Sequence, residues 1–179
     1  MTYVVHFLRI EPGTHWVDAL EAQELEQERN RLSRVASGDD SMVDIVRPDW
    51  WRIASLLYRV LPAAELRRTK QGLTFVDRAT GIVLSLEVDE YTLSLPFRHD
   101  ERRARDVLSI AQRLAQFVEE ETGLVAFDAQ LGQPFLGVDG SLDHGAALIA
   151  STRRALTEKA MVRPRIGHMD VGASRPRIR

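Results

Sequence analysis

Residues 72–97 alternate between apolar and polar positions in three successive runs. Leu73, Thr74, Phe75 and Val76 make up the first. Ile82, Leu84, Leu86 and Val88 share one face of the second, with Ser85 and Glu87 on the other. In the third, Tyr91, Leu93, Leu95 and Phe97 alternate with Thr92, Ser94 and Pro96. A period of two predicts antiparallel strands with one face in a core and one polar face. Arg78-Ala79-Thr80-Gly81 joins the first two runs, where Gly81 supplies the positive φ of a bulged hairpin turn.

The flanking segments complete an alternating layout. In residues 3–10, Tyr3, Val5 and Phe7 interleave with Val4, His6 and Leu8, so both faces are apolar, as in a central strand. Pro12-Gly13 ends it, and Thr14 is placed to cap a helix running to about Ala36. Trp16, Leu20, Leu25, Leu32 and Val35 form only a loose stripe there, so this helix stands off the core or ends early. Ser37 to Pro48 reads as a loop. Asp49 is expected to cap a short helix to about Val60, with Trp50, Ile53, Ala54 and Leu57 as its core face and Trp51, Ser55 and Tyr58 elsewhere. Asp100 caps the most regular helix, in which Val107, Ile110, Ala111, Leu114, Phe117 and Val118 recur at three and four, closed by Thr122-Gly123. Leu124 to Phe127 reads as an interior strand and Asp128 to Gly140 as a loop. Ser141 is expected to cap a last helix to about Met161, in which Gly145 costs about 1 kcal/mol relative to alanine. The fold class is α+β: a mainly antiparallel sheet with helices packed on one face, ferredoxin-like with additions. Residues 1–161 form one domain and residues 162–179 a basic, Arg-Pro-rich tail.

Charge changes this picture at the two ends. Residues 151–179 hold 8 of the 24 Lys and Arg but only 2 of the 26 Asp and Glu, so an acidic body carries a basic tail. Arg-Pro-Arg-Ile occurs twice in that tail, which presents Arg163, Arg165, Arg175, Arg177 and Arg179. No aromatic residue lies among them, and the acidic body repels a polyanion, so nucleic acid ranks below contact with a protein or with the chain's own acidic helix. Asp18, Glu21, Glu24, Glu26 and Glu28 make the first part of that helix acidic. The absence of cysteine removes disulfides and thiolate metal sites and fits a reducing compartment. The N-terminal apolar run is too short for a signal peptide or a membrane span, so a soluble cytoplasmic protein is expected.

Candidate chemistry is sparse. The five histidines show no metal-ligand spacing, and there is no phosphate loop, nucleophile elbow or dinucleotide fingerprint, so no metal, cofactor or catalytic motif is expected. His99, Asp100 and Asp128 are the weak candidates for acid–base work around a pocket at the end of the sheet. A solvated histidine beside a helix cap, and a carboxylate bonding its own turn, account for the same residues. Arg102, Arg103 and Arg105 at the start of the helix after Asp100, and Glu119, Glu120 and Glu121 at its end, oppose the helix dipole. An Arg102–Asp106 pair would recover part of that loss. For binding, the candidates are Glu21, Glu24 and Glu28 with the aromatic residues Trp51 and Tyr58. The polar sheet face (Thr74, Ser85, Glu87, Thr92, Ser94) is a place where a homodimer or a ligand can form.

The opening Met1 to Arg9, the Trp-rich second helix, Asp77…Thr80-Gly81 and Glu121-Thr122-Gly123-Leu124-Val125-Ala126-Phe127-Asp128-Ala129-Gln130 resemble a loose group of small uncharacterised bacterial α+β proteins. Some of that group are similar to immunity proteins that neutralise secreted toxins. The likeness covers roughly residues 1–135 and rests on structural turns, so it implies no functional residue. It adds a little to the reading drawn from the acidic body and exposed aromatic residues, a protein-interaction module of immunity-like type that binds a protein partner; the alternative is a small enzyme or ligand-binding domain with a pocket near His99 and Asp128, and the second is nucleic-acid contact through the basic tail.

Overall fold

The computed structural model describes residues 2–37, 47–69, 72–88 and 90–162. Seven strands form one antiparallel sheet in the order β2-β3-β4-β5-β1-β6-β7. The strands are β1 (Thr2–Leu8), β2 (Glu65–Arg68), β3 (Gly72–Val76), β4 (Val83–Glu87), β5 (Tyr91–Pro96), β6 (Val125–Asp128) and β7 (Gln133–Pro134). The helices are α1 (Trp16–Ser37), α2 (Pro48–Val60), α3 (Glu101–Thr122) and α4 (Ser141–Val162). The fold is therefore α+β with an antiparallel sheet. β2 and β3 precede the β4–β5 hairpin and β7 follows β6.

The alternating runs become the middle of the sheet. Leu73, Phe75, Leu84, Leu86, Leu93 and Leu95 are buried on the face that α2, α3 and α4 cover, together with Tyr3, Val5 and Phe7. Apolar on both faces, β1 lies between β5 and β6. The expectation that all helices share one face is corrected by α1. Trp16 stacks on Phe127 with ring centroids 4.3 Å apart. Phe127 pairs with His6, on the face opposite Val5 and Asp128. Burial of Phe127, Leu8 and Ala19 gives this second face a small core of its own.

Local rules hold at α3. Asp100 accepts the backbone N–H of Arg103 at 2.9 Å, and Gly123 closes the helix at φ 70°. Three of the six charges that oppose its dipole are tied to neighbouring elements: Arg105 to Asp143 at 2.8 Å and Glu121 to Arg52 at 2.6 Å, while Glu119 accepts the N–H of Ala126 at 2.7 Å. The i,i+4 pair on this helix joins Arg105 to Glu101, not Arg102 to Asp106.

Two further differences have physical causes. Asp49 does not cap α2: Arg47 occupies the cap position, Pro48 opens the helix, and Asp49 turns inward as a buried residue. Gly145 in α4 is a close-approach site, because a Cβ there would stand 3.1 Å from the Tyr3 hydroxyl and 3.0 Å from Leu108. Residues 163–179 lie outside the described residues, and with them Arg163, Arg165, Arg175, Arg177 and Arg179; so does most of the loop expected between Ser37 and Pro48.

Candidate functional site

Helix α1 presents two different faces. At 100° per residue, Ala19, Gln23, Glu26, Gln27 and Asn30 point one way and Glu21, Glu24, Leu25, Glu28 and Leu32 the other. The first set lines a cleft of about 600 Å³ between α1 and the end of the sheet that carries Tyr91 and Leu124. The second set is exposed, including Leu25 at 69 % and Leu32 at 55 %. These leucines sit one heptad apart with Glu21 and Glu28 between and beside them, so α1 carries an apolar seam edged with acid. Most of the helix meets solvent because its apolar residues never formed a continuous stripe.

The cleft wall is also acidic. Glu11, Asp18, Glu26 and Glu90 contribute four carboxylates against the guanidinium groups of Arg9 and Arg47. Arg47 is fixed rather than loose: its Nε lies 3.2 Å from Asp49 Oδ1, and its guanidinium carbon sits 5.6 Å from the centroid of the Tyr91 ring. Tyr91 in turn donates to Asp49 Oδ2 at 2.7 Å and accepts from Trp50 Nε1 at 2.6 Å. This chain of bonds anchors the start of α2 to the sheet and explains why Asp49 is drawn inward.

A matching pair stands at the other end of β1. The Tyr3 hydroxyl donates to the buried Asp128 carboxylate, whose Oδ1 also accepts the N–H groups of Gln130 and Leu131 at 3.0 and 3.1 Å. Burial pushes the Asp128 carboxyl above its ordinary value, and the bond from Tyr3 opposes that shift only in part. Burial, followed by the carboxylate partner, pushes both Tyr3 and Tyr91 far above the usual tyrosine range. Each tyrosine thus binds its proton more tightly in the folded chain than in the unfolded one. Their contribution to stability is present below the ordinary tyrosine pKa of about 10 and is lost as pH rises beyond it. An alkaline titration followed at the tyrosinate band should therefore show Tyr3 and Tyr91 ionising only together with loss of near-ultraviolet circular dichroism. Ionisation of either one ahead of unfolding would contradict the burial argument; Tyr3→Phe and Tyr91→Phe variants assign the signal.

The candidates from the sequence are placed in three groups. Glu21, Glu24 and Glu28 lie together on the outward face of α1. Trp51 and Tyr58 lie on a separate stripe of α2, at 47 % and 40 % exposure, with the Tyr58 ring edge-on to Phe75 at 6.2 Å. His99, Asp100 and Asp128 form no shared cluster of bonds. His99 Nε2 lies 2.7 Å from the Thr80 carbonyl oxygen, Asp100 caps α3, and Asp128 holds Tyr3 and its own turn. Among the described residues no three His, Asp or Glu side chains converge as a metal site, and no helix is long and apolar enough to cross a membrane. Sequence reasoning missed the cleft and its Arg47–Asp49–Tyr91 wall. The only sequence signal was an aspartate directly after Pro48, which is equally a helix start. Comparison with known proteins returns no matching family model, curated protein or solved structure.

Proposed function

We propose that the chain is a protein-interaction module, acting in the cytoplasm, which binds a basic polypeptide through the outward face of α1. The observation that carries this reading is the exposed seam of Leu25 and Leu32 edged by Glu21, Glu24 and Glu28. Leucines supply area that is worth removing from water, and the glutamates steer and orient a positively charged partner. Acid on the cleft side of the same helix extends the negative field around it. A partner held in this way has its basic surface covered, which is the manner of action that the immunity-like resemblance implies.

The catalytic alternative around His99 and Asp128 draws less support, because those side chains are engaged in capping and turn bonds. The test is capture of a partner by the tagged full-length chain from nuclease-treated lysate of its native host. A protein retained by the wild type and lost with Glu21→Lys/Glu24→Lys/Glu28→Lys supports the reading. Equal retention by both removes α1 from the interface.

A further inference from the structure

Strand β2 forms one edge of the sheet. Among the described residues strand β2 is paired to one strand, β3, in the register Glu65↔Val76, Leu66↔Phe75, Arg67↔Thr74. The Thr69 N–H donates to the Gly72 carbonyl at 2.9 Å, which makes Thr69 a hydrogen-bonded position of this ladder. Alternation along an antiparallel strand then turns Arg67 and Glu65 inward to β3, and turns the Leu66 N–H and C=O toward the open edge. Among the described residues no strand lies on that edge.

Two strands related by a two-fold axis normal to the sheet must keep each side chain on its own face. Residues facing one another across the axis therefore share parity, and Leu66 can face its own copy. In that register the two Leu66 residues exchange both N–H···O=C bonds, and Glu65 stands opposite Arg67 of the second copy, twice. Opposite charges directly across an antiparallel pair stabilise it. The one-step shift that keeps parity would instead set Arg67 against Arg67, so the charges also select the register. Leu66 lies on the same face as Phe75, which touches Tyr58. Tyr58 of α2, exposed at 40 %, therefore stands beside β3, the strand next to this edge. An exposed aromatic residue beside an edge strand is a feature that an isologous interface uses twice.

We infer that the chain forms a homodimer by antiparallel pairing of two β2 strands centred on Leu66, which joins two seven-stranded sheets into one. Glu65 is already close to Arg78 at 2.8 Å and to Arg67 at 3.2 Å, so in the dimer it bridges guanidinium groups from both copies. The pattern is not the usual protection of an edge by like charge, because a strand of one sign would repel its copy and this one does not.

The arrangement predicts an unusual pair of variants. Glu65→Arg alone sets arginine against arginine across the axis, and Arg67→Glu alone sets glutamate against glutamate. Each should raise the dimer dissociation constant by about 30-fold. An equimolar mixture of the two should recover dimer, as a heterodimer with both cross-strand pairs restored. Sedimentation of the full-length chain and its variants from about 1 µM to about 1 mM reads this directly, with circular dichroism showing that each variant is folded. Dimer in the wild type, loss in each single variant and recovery on mixing support the inference. A wild type that stays monomeric over this range overturns it, as does a dimer that the two variants leave unchanged or that mixing fails to restore.

Discussion

Gly72→Ala is expected to destabilise the fold by about 3 kcal/mol or more, the upper range for overpacking a buried site. The reason is a single close approach. A Cβ at Gly72 would stand 1.9 Å from the Leu86 carbonyl oxygen and 2.9 Å from the Glu87 Cα, all backbone of β4. No rotamer change relieves such a clash, so β3 and β4 must separate where Gly72 pairs with Glu87. The same residue also holds the turn from β2, accepting from the Thr69 N–H and donating to Thr69 Oγ1 at 3.0 Å. Gly123→Ala is the matched control. It has positive φ but no heavy atom within 4 Å of the added carbon, so only backbone strain of about 1 kcal/mol is expected. Urea unfolding followed by circular dichroism separates the two. Equal losses would mean that the β3–β4 approach relaxes freely, contrary to the packing described.

The second large effect falls on binding. Reversing Glu21, Glu24 and Glu28 together should weaken a basic partner by about 100-fold or more at low salt, mostly through replaced attraction and new like-charge repulsion. Stability should change little, because all three side chains are exposed. Wild-type affinity should fall with ionic strength as screening shortens to about 10 Å at 0.1 M, and the variant should lose most of that salt dependence. Leu25→Ser/Leu32→Ser should act differently, weakening the complex equally at low and high salt, since buried apolar area is not screened. Isothermal titration against the captured partner at two salt concentrations distinguishes the two contributions.

The parts of the fold that could be read in advance are those set by local pattern. Alternation in residues 72–97 gave β3, β4 and β5, helical spacing gave α3, and Asp100 and Gly123 marked its ends because capping is a short-range bond. The broken apolar stripe of α1 was itself the sign that Leu25 and Leu32 face solvent. Strand β2 escaped because Glu-Leu-Arg-Arg is short, charged and lies on an edge, where burial imposes no alternation. Strand β7 is two residues inside a Gly- and Pro-containing loop. The inward turn of Asp49 depends on Tyr91, and the burial of Asp128 on Tyr3, partners that lie far away in the chain. No local rule could pair them. The binding candidates were legible as residue types, while their division between α1 and a distant stripe on α2 follows from where each helix docks.

The most direct test of the central claim replaces Leu25 with a photocrosslinking amino acid in the full-length chain and exposes it to light in the native host. Leu156, exposed at 39 % on α4, carries the same group as a control. The account predicts a discrete protein adduct from position 25, abolished by reversing Glu21, Glu24 and Glu28, and none from position 156. An adduct from position 156 alone, or one from position 25 that survives the charge reversal, would contradict it.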